Sequence, residues 1–98
     1  MKNDYLYFIQ SDFTGMIKIG RSKDPQKRLK QLQTGNPNRL KLIASFESKG
    51  NEEKYLHEVL NNYKLKGEWF SYQCVGSIPD DYYDQLPFGV FDDWWKVK

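Results

Sequence analysis

The run YLYFIQ (Tyr5–Gln10), followed after a short turn by MIKIG (Met16–Gly20), decides the fold of this chain. Tyr5–Gln10 is rich in aromatic and apolar residues, as is typical of strands that are buried on both faces. The intervening Ser11–Gly15 ends in glycine and has the composition of a turn. Met16–Gly20 alternates in polarity around Lys18, which indicates a second strand. Together these runs predict an antiparallel β-hairpin.

A helix and a third strand are predicted to follow the hairpin. Asp24 is a suitable N-cap, and Pro25 suits the first helical position. The helix should run to about Thr34, because the Gly35–Pro37 stretch ends it. The segment Leu40–Phe46 then alternates in polarity and predicts a third strand.

The second half of the chain predicts one more helix and a short extended piece. Glu52–Tyr63 carries an apolar face centred near Leu56 at helical spacing, and Glu68–Tyr72 is expected to be extended. We therefore expect an α+β fold with a small, three-stranded, mostly antiparallel sheet flanked by helices. This domain is expected over residues 1–75. Residues 76–98 are expected to form an irregular, acidic and aromatic extension packed on or near it.

Length and charge distribution narrow the functional classes. With 98 residues the chain has room for one compact domain. The net charge is +2, but residues 1–49 carry ten Lys/Arg against four Asp/Glu, whereas residues 50–98 carry five Lys against nine Asp/Glu. The first half is therefore at +6 and the second at −4. Such asymmetry favours a polyanion-binding face.

The sequence also argues against membrane, secreted and zinc-binding proteins. No stretch approaches the roughly 18–20 apolar residues of a membrane span, and Met1–Asp4 does not begin a signal peptide. Cys74 is the one cysteine and His57 the one histidine, so neither an internal disulfide nor a structural zinc site can be built. We expect a reduced, soluble, cytoplasmic protein.

Five short elements occur in a particular order along the chain. They are Tyr5–Tyr7, Lys18–Gly20, Arg28, the pair of Glu53 and His57 four residues apart on the second helix, and Gly67–Phe70. This order resembles the GIY-YIG nuclease family. The Lys-Ile-Gly-Arg-Ser stretch, the Glu-x-x-x-His helix and the Gly-Glu-Trp-Phe sequence are similar to a subgroup common in phage and prophage proteins. The resemblance covers residues 5–72.

The resemblance implies a metal-dependent endonuclease that hydrolyses DNA phosphodiester bonds. Glu53 matches the glutamate that binds a single divalent ion, Mg²⁺ or Mn²⁺, and Glu52 is the alternative ligand. Arg28 matches the family arginine, which would stabilise negative charge on the phosphate. Tyr7 matches the first tyrosine of the family, whose phenol would orient or deprotonate the attacking water.

Lys18 departs from the family pattern, in which a tyrosine more commonly stands at this position. An ammonium group cannot act as a base unless it is strongly desolvated. We therefore expect Lys18 to bind phosphate or to lower the pKa of Tyr7. The general base is then Tyr7, His57 or a metal-bound hydroxide. Tyr7 is preferred, provided that nearby cations lower its pKa from about 10.

Basic residues near this site are expected to contact nucleic acid. The expected phosphate-binding residues are Arg21, Lys23, Lys27 and Arg39. The expected partner is DNA, double- or single-stranded, and a membrane is not expected. Because 98 residues leave no room for a separate targeting domain, we expect low intrinsic sequence specificity. The expected source is a phage or mobile element, which would place the protein in the host cytoplasm.

Two other functions fit the same sequence. The domain could be a catalytically weak or inactive nucleic-acid-binding module on the same fold, which the lysine at position 18 favours. Residues 76–98 carry five Asp, two Lys and six aromatic residues, a poor composition for binding DNA. That segment could mediate homodimerisation or binding to a protein partner, restrain activity by docking near the basic cleft, or simply cover the core.

Overall fold

The computed structural model describes residues 4–86, which form an antiparallel sheet packed between helices. The strands are β1 (Tyr5–Ser11), β2 (Ile17–Ser22), β3 (Leu40–Phe46), β4 (Lys64–Lys66) and β5 (Trp69–Phe70). The helices are α1 (Pro25–Gln33), α2 (Glu53–Val59) and α3 (Asp80–Tyr83), and 3₁₀ turns lie at Gly50–Glu52, Asn61–Tyr63 and Tyr72–Ser77. The sheet order is β3-β1-β2-β5-β4, with each neighbouring pair antiparallel.

The first hairpin forms as predicted. β1 and β2 pair in unbroken register, from Tyr5 opposite Ser22 to Gln10 opposite Ile17. Because residues directly opposite each other share a face of the sheet, this register determines which side chains of the two strands meet.

The expectation of a three-stranded sheet is wrong, because the sheet has five strands. β4 and β5 form a hairpin around Gly67, whose φ is +58°, and β5 pairs with β2. These strands have three and two residues, and all of β4 is exposed, so they carry no alternation that could predict them. They are defined by pairing with their neighbours. The α+β class itself is correct.

The two main helices hold opposite faces of the sheet. The Asp24 side chain accepts a hydrogen bond from the backbone N–H of Lys27 (3.1 Å), so α1 begins where the sequence predicts. α2 is shorter than predicted, since 3₁₀ turns replace both ends of the expected Glu52–Tyr63 helix. Glu53 is therefore the first residue of α2.

Two hydrophobic layers cover the sheet. The layer beneath α2 contains the buried residues Leu6, Phe8, Ile17, Ile19, Leu56, Leu60, Phe70, Cys74, Ile78, Tyr82 and Leu86. The layer beneath α1 contains the buried residues Tyr7, Ile9 and Leu40, against which Leu29, Leu32, Leu42 and Trp69 pack. Alternate residues of β1 thus belong to opposite layers.

Part of the predicted C-terminal extension contributes to this core. Ile78, Tyr82 and Leu86 are buried, and the Tyr82 ring meets Phe46 edge-on at 5.3 Å between centroids. The domain boundary at residue 75 stays a prediction, and the expectation for residues 87–98 concerns residues outside the described part of the chain.

Across residues 4–86, none of the helices has the length and apolar character that crossing a membrane requires.

Candidate functional site

The candidate site lies where β5 begins, alongside β2. β5 pairs with Ile17 and Lys18 of β2, and one further backbone hydrogen bond joins Ile19 N–H to the Glu68 carbonyl (3.2 Å). Gly20 follows on β2, beyond the reach of β5. This edge of the sheet is where residues from α1 and α2, on opposite faces, come close to each other.

Gly20 permits the closest approach in the site. It stands opposite Tyr7 in the β1–β2 register. A Cβ atom at this position would lie 2.5 Å from the Tyr7 hydroxyl oxygen and 2.9 Å from Glu68 Oε1. The phenol and the carboxylate therefore both lie over the glycine, in space that a larger side chain would occupy.

The Tyr7 phenol is buried and protonated at neutral pH. Burial raises its pKa above 10.0, and the charges of Glu68 and Glu53 raise it further. A hydrogen bond and the charge of Arg28 act in the opposite direction without reversing the shift. The role of general base expected for Tyr7 requires a lowered pKa, whereas a raised pKa suits a phenol that donates a hydrogen bond.

Arg28 approaches Tyr7 from α1. Its guanidinium is a donor only, so the hydrogen bond runs from Arg28 to the phenol oxygen. A second hydrogen bond, of 3.4 Å, runs from Arg28 Nη1 to Gln31 Oε1, one turn along the helix. Arg28 is half-buried, so part of its guanidinium remains open to a ligand.

Lys18 and Glu68 form an ion pair in which the ammonium is buried and the carboxylate is partly exposed. Lys18 Nζ lies 3.1 Å from Glu68 Oε1, and the exposed fractions of the two side chains are 9% and 38%. The ammonium also lies over the Trp69 ring, 5.6 Å from its centroid. Burial opposes ionisation of Glu68, but the hydrogen bond and charge of Lys18, together with a hydrogen bond from Glu53, lower its pKa below 4.5.

Glu53 carries the opposite shift from Glu68. Burial, and then the hydrogen bond and charge of Glu68, raise the pKa of Glu53 above 4.5, while the charges of His57 and Arg21 lower it in part. A hydrogen bond between two carboxyl groups needs a proton on one of them. The directions of the two shifts make Glu53 the member of the pair that takes up a proton first as the pH falls.

His57 is held by the backbone of β2. Its Nε2 lies 2.7 Å from the Ile19 carbonyl oxygen, and its ring meets Phe70 edge-on at 5.0 Å. Since a carbonyl only accepts, Nε2 carries a hydrogen and donates it. The same nitrogen lies 3.7 Å from Glu53 Oε2. His57 thereby links α2 to the strand segment that precedes Gly20.

The structure brings together the five residues that the sequence singled out for catalysis or metal binding. Tyr7 and Arg28 share a hydrogen bond, Glu53 and His57 are neighbours on α2, and Lys18 joins them through Glu68. The sequence reasoning did not select Glu68. The signal that could have found it is the Gly67 turn, which places the next residue at the start of a strand against β2.

The residues expected to bind nucleic acid are divided between two places. Arg21 forms an ion pair with Asp4, and its charge reaches Glu53. Lys23 and Lys27 are exposed beside the start of α1. Arg39 lies at the opposite end of β1, 80% exposed and 4.0 Å from Asp12. Asp12 directly follows β1, and Ser11, the last residue of that strand, is four residues from Tyr7, a distance of about 13 Å at the rise of a strand.

The donor set of the site suits a hard divalent cation. Glu53 and Glu68 supply adjacent carboxylates, the ligands that Mg²⁺ prefers, and Mg²⁺ usually retains several waters. Within residues 4–86 no group of three or more His, Cys, Asp or Glu side chains forms a fuller metal site. The single Mg²⁺ or Mn²⁺ ion therefore stays a prediction, with Glu53 as its expected ligand and Glu52 as the alternative.

The chain is similar to a family of protein domains. No curated protein and no solved structure is similar enough to be matched to this chain. The model of the T5orf172 domain matches residues 4–85, which is nearly the whole of the described structure and includes every residue of the candidate site. The chain therefore belongs to the T5orf172 domain family.

Proposed function

We propose that this domain is a divalent-metal-dependent endonuclease that hydrolyses phosphodiester bonds of DNA. The observation that carries the proposal is the convergence of a half-buried guanidinium, a protonated phenol and two adjacent carboxylates at one edge of the sheet. The T5orf172 domain is consistent with a nuclease or DNA-binding role. The resemblance to the GIY-YIG pattern supports the nuclease in particular.

Arg28 and Tyr7 have complementary tasks in this proposal. The guanidinium would pair with the non-bridging phosphate oxygens and stabilise the charge that develops on them. The Tyr7 phenol, which keeps its proton, would donate a hydrogen bond to a phosphate oxygen or orient the attacking water. The Arg28–Tyr7 hydrogen bond holds the two groups in fixed relation before DNA binds.

A carboxylate would hold the cation. Glu53 is the residue that would bind Mg²⁺ or Mn²⁺, and Glu68 lies beside it. When bound, such an ion withdraws charge from the phosphate and lowers the pKa of a bound water. His57 would keep α2, and therefore Glu53, against β2 through its hydrogen bond to Ile19.

The proposal is tested by incubating the protein with supercoiled plasmid and with single-stranded DNA, in Mg²⁺ or in EDTA. We expect cleavage in Mg²⁺ alone. Arg28→Ala should lower the cleavage rate by about 100-fold, the scale of losing one charge-stabilising donor. Lys66→Ala is the control, an exposed cation of β4 that lies outside α1 and should cut at the wild-type rate. Folded wild-type protein that cuts no DNA with any divalent metal would contradict the proposal.

A nucleic-acid-binding module without turnover is the second candidate. The observation that favours it is the raised pKa of Tyr7, since the phenolate needed for a tyrosine base is disfavoured. DNA affinity that falls steeply with salt, together with no cleavage under any metal, would support this function instead.

A further inference from the structure

Lys18 and Glu68 form an ion pair within the candidate site. Lys18 is almost completely buried, and its ammonium lies between the Glu68 carboxylate at 3.1 Å and the face of Trp69 at 5.6 Å. A buried ammonium needs a counter-charge, because an unpaired charge that has been removed from water destabilises the folded state. Glu68 supplies that counter-charge.

Glu68 has a second partner in the site. Its carboxylate shares a hydrogen bond with Glu53, and Oε1 also lies beside Gly20 and the Tyr7 phenol. Glu68 therefore contacts both Lys18 and Glu53 and links the two residues.

This arrangement leaves Lys18 poorly placed to bind a phosphate. To reach one, the ammonium would have to leave Glu68, and the partly buried Glu68 carboxylate would then lose its counter-charge. Arg28 is half-buried and is held by hydrogen bonds to the neutral groups of Tyr7 and Gln31, so it can reach a phosphate without breaking an ion pair of this kind.

We propose that Glu68 is a positioning residue for the reaction and that Lys18 is its anchor. Lys18 holds Glu68 in place, Glu68 holds the Glu53 carboxyl group, and Lys18 makes no contact with the phosphate. The inference rests on the proposed nuclease function for its catalytic part. It differs from the role in phosphate binding that the sequence suggests for Lys18.

The first test measures DNA affinity against salt concentration, in EDTA so that no strand is cut. The slope of log affinity on log salt changes by about 0.9 for each phosphate contact to duplex DNA. Lys18→Met should leave the slope unchanged, as should Lys66→Met, a control at an exposed lysine of β4. A slope reduced by about 0.9 in Lys18→Met alone would overturn the inference.

The second test is a double-mutant cycle on cleavage. Lys18→Met and Glu68→Gln should each lower kcat by about tenfold or more, with KM for DNA within about twofold of the wild-type value. The double variant Lys18→Met/Glu68→Gln should be no slower than the slower single variant, because both residues act as one unit. Losses that multiply, or a rise in KM, would overturn the inference.

A third measurement keeps the inference testable if a variant folds poorly. Glu68→Gln leaves the more buried charge unpaired, so its Tm should fall further than that of Lys18→Met, by about 4–8 °C or more. The double variant should recover part of that loss, whereas a Tm below both single variants would overturn the pairing. Wild-type protein that binds DNA but never cuts it would contradict the proposed function, while the salt slopes and Tm values still decide the role of Lys18.

Discussion

Gly20 sets the geometry of the site at the scale of a single residue. The Tyr7 hydroxyl and Glu68 Oε1 occupy the space over its α-carbon, at distances from an added Cβ that real contacts do not reach. The requirement arises from packing across the β1–β2 pair, and not from an unusual backbone conformation. A side chain at this position must displace the phenol or the carboxylate.

Gly20→Ala should therefore destabilise the protein and disturb the site. We expect the free energy of unfolding to fall by about 1–3 kcal/mol, the cost of forcing an extra methyl group into a packed region. Gly76→Ala is the matched control, since an added Cβ there meets nothing within 4 Å. Chemical denaturation of the two variants measures the difference. Equal stabilities would contradict the close contact over Gly20.

Cys74 predicts a dependence of stability on alkaline pH. Burial raises the pKa of its thiol from 9.0 to about 12, so the unfolded chain ionises first as the pH rises. The free energy of unfolding should fall between about pH 9 and pH 12, by about 1.4 kcal/mol per pH unit from this group. Below pH 9 the thiol is neutral in both states and contributes no slope.

The contribution of Cys74 is isolated by comparison with Cys74→Ala. Both proteins contain the same tyrosines and lysines, which also titrate in this range, so the difference between their slopes belongs to the thiol. Urea denaturation from pH 8 to pH 11 gives both curves. Parallel curves would show that the thiol is not buried in the folded state.

At the scale of elements, α1 is the clearest candidate for the surface that binds DNA. Its sequence PQKRLKQLQ contains Lys27, Arg28 and Lys30 and no acidic residue. Lys23 lies two residues before the helix and is exposed, as is Lys27. At the other end of β1, Asp12 partly neutralises the basic residues, lying 3.2 Å from Lys41 and 4.0 Å from Arg39.

Salt-dependent binding separates these two basic regions. Lys27→Ala should lower the slope of log affinity on log salt by about 0.9, whereas Arg39→Ala should leave it nearly unchanged. Fluorescence anisotropy with a labelled duplex, in EDTA, measures both slopes. A larger effect of Arg39→Ala would place the DNA at the opposite end of the sheet.

The elements that the sequence predicts well are those whose own side chains carry the signal. The β1–β2 hairpin and α1 follow from apolar runs, a turn, an N-cap and a proline. The three exposed residues of β4 carry no periodicity, and the extended segment predicted over Glu68–Tyr72 contains β5 but does not indicate its partners. Their pairing with β2 is a long-range contact, which a local pattern does not contain.

At the scale of the whole molecule, the site combines residues from both faces of the sheet. Arg28 comes from α1 on one face, and Glu53 and His57 come from α2 on the other. They approach each other where β5 begins, opposite Lys18, because Glu68 directly precedes this strand and contacts both Lys18 and Glu53. An expected three-stranded sheet has no β5 and therefore could not predict this meeting point.

The resemblance of the sequence to a nuclease pattern named five residues that the fold brings together, but it did not indicate their protonation. The raised pKa of Tyr7 follows from burial, with the nearby charges of Glu68 and Glu53 adding to it. The opposite pKa shifts of Glu53 and Glu68 follow from the hairpin that places the two carboxyl groups together. These properties depend on three-dimensional packing, so spacing along the chain does not predict them.

The most direct test of the account is single-turnover DNA cleavage by Glu53→Gln in Mg²⁺. The substitution removes the carboxylate proposed to hold the ion and keeps the shape of the side chain. We predict a rate lower by about 100-fold or more. The control Glu58→Gln, at an exposed position on the same helix, should cut at the wild-type rate. Cleavage by Glu53→Gln at the wild-type rate would contradict the central claim that this edge of the sheet is the active site.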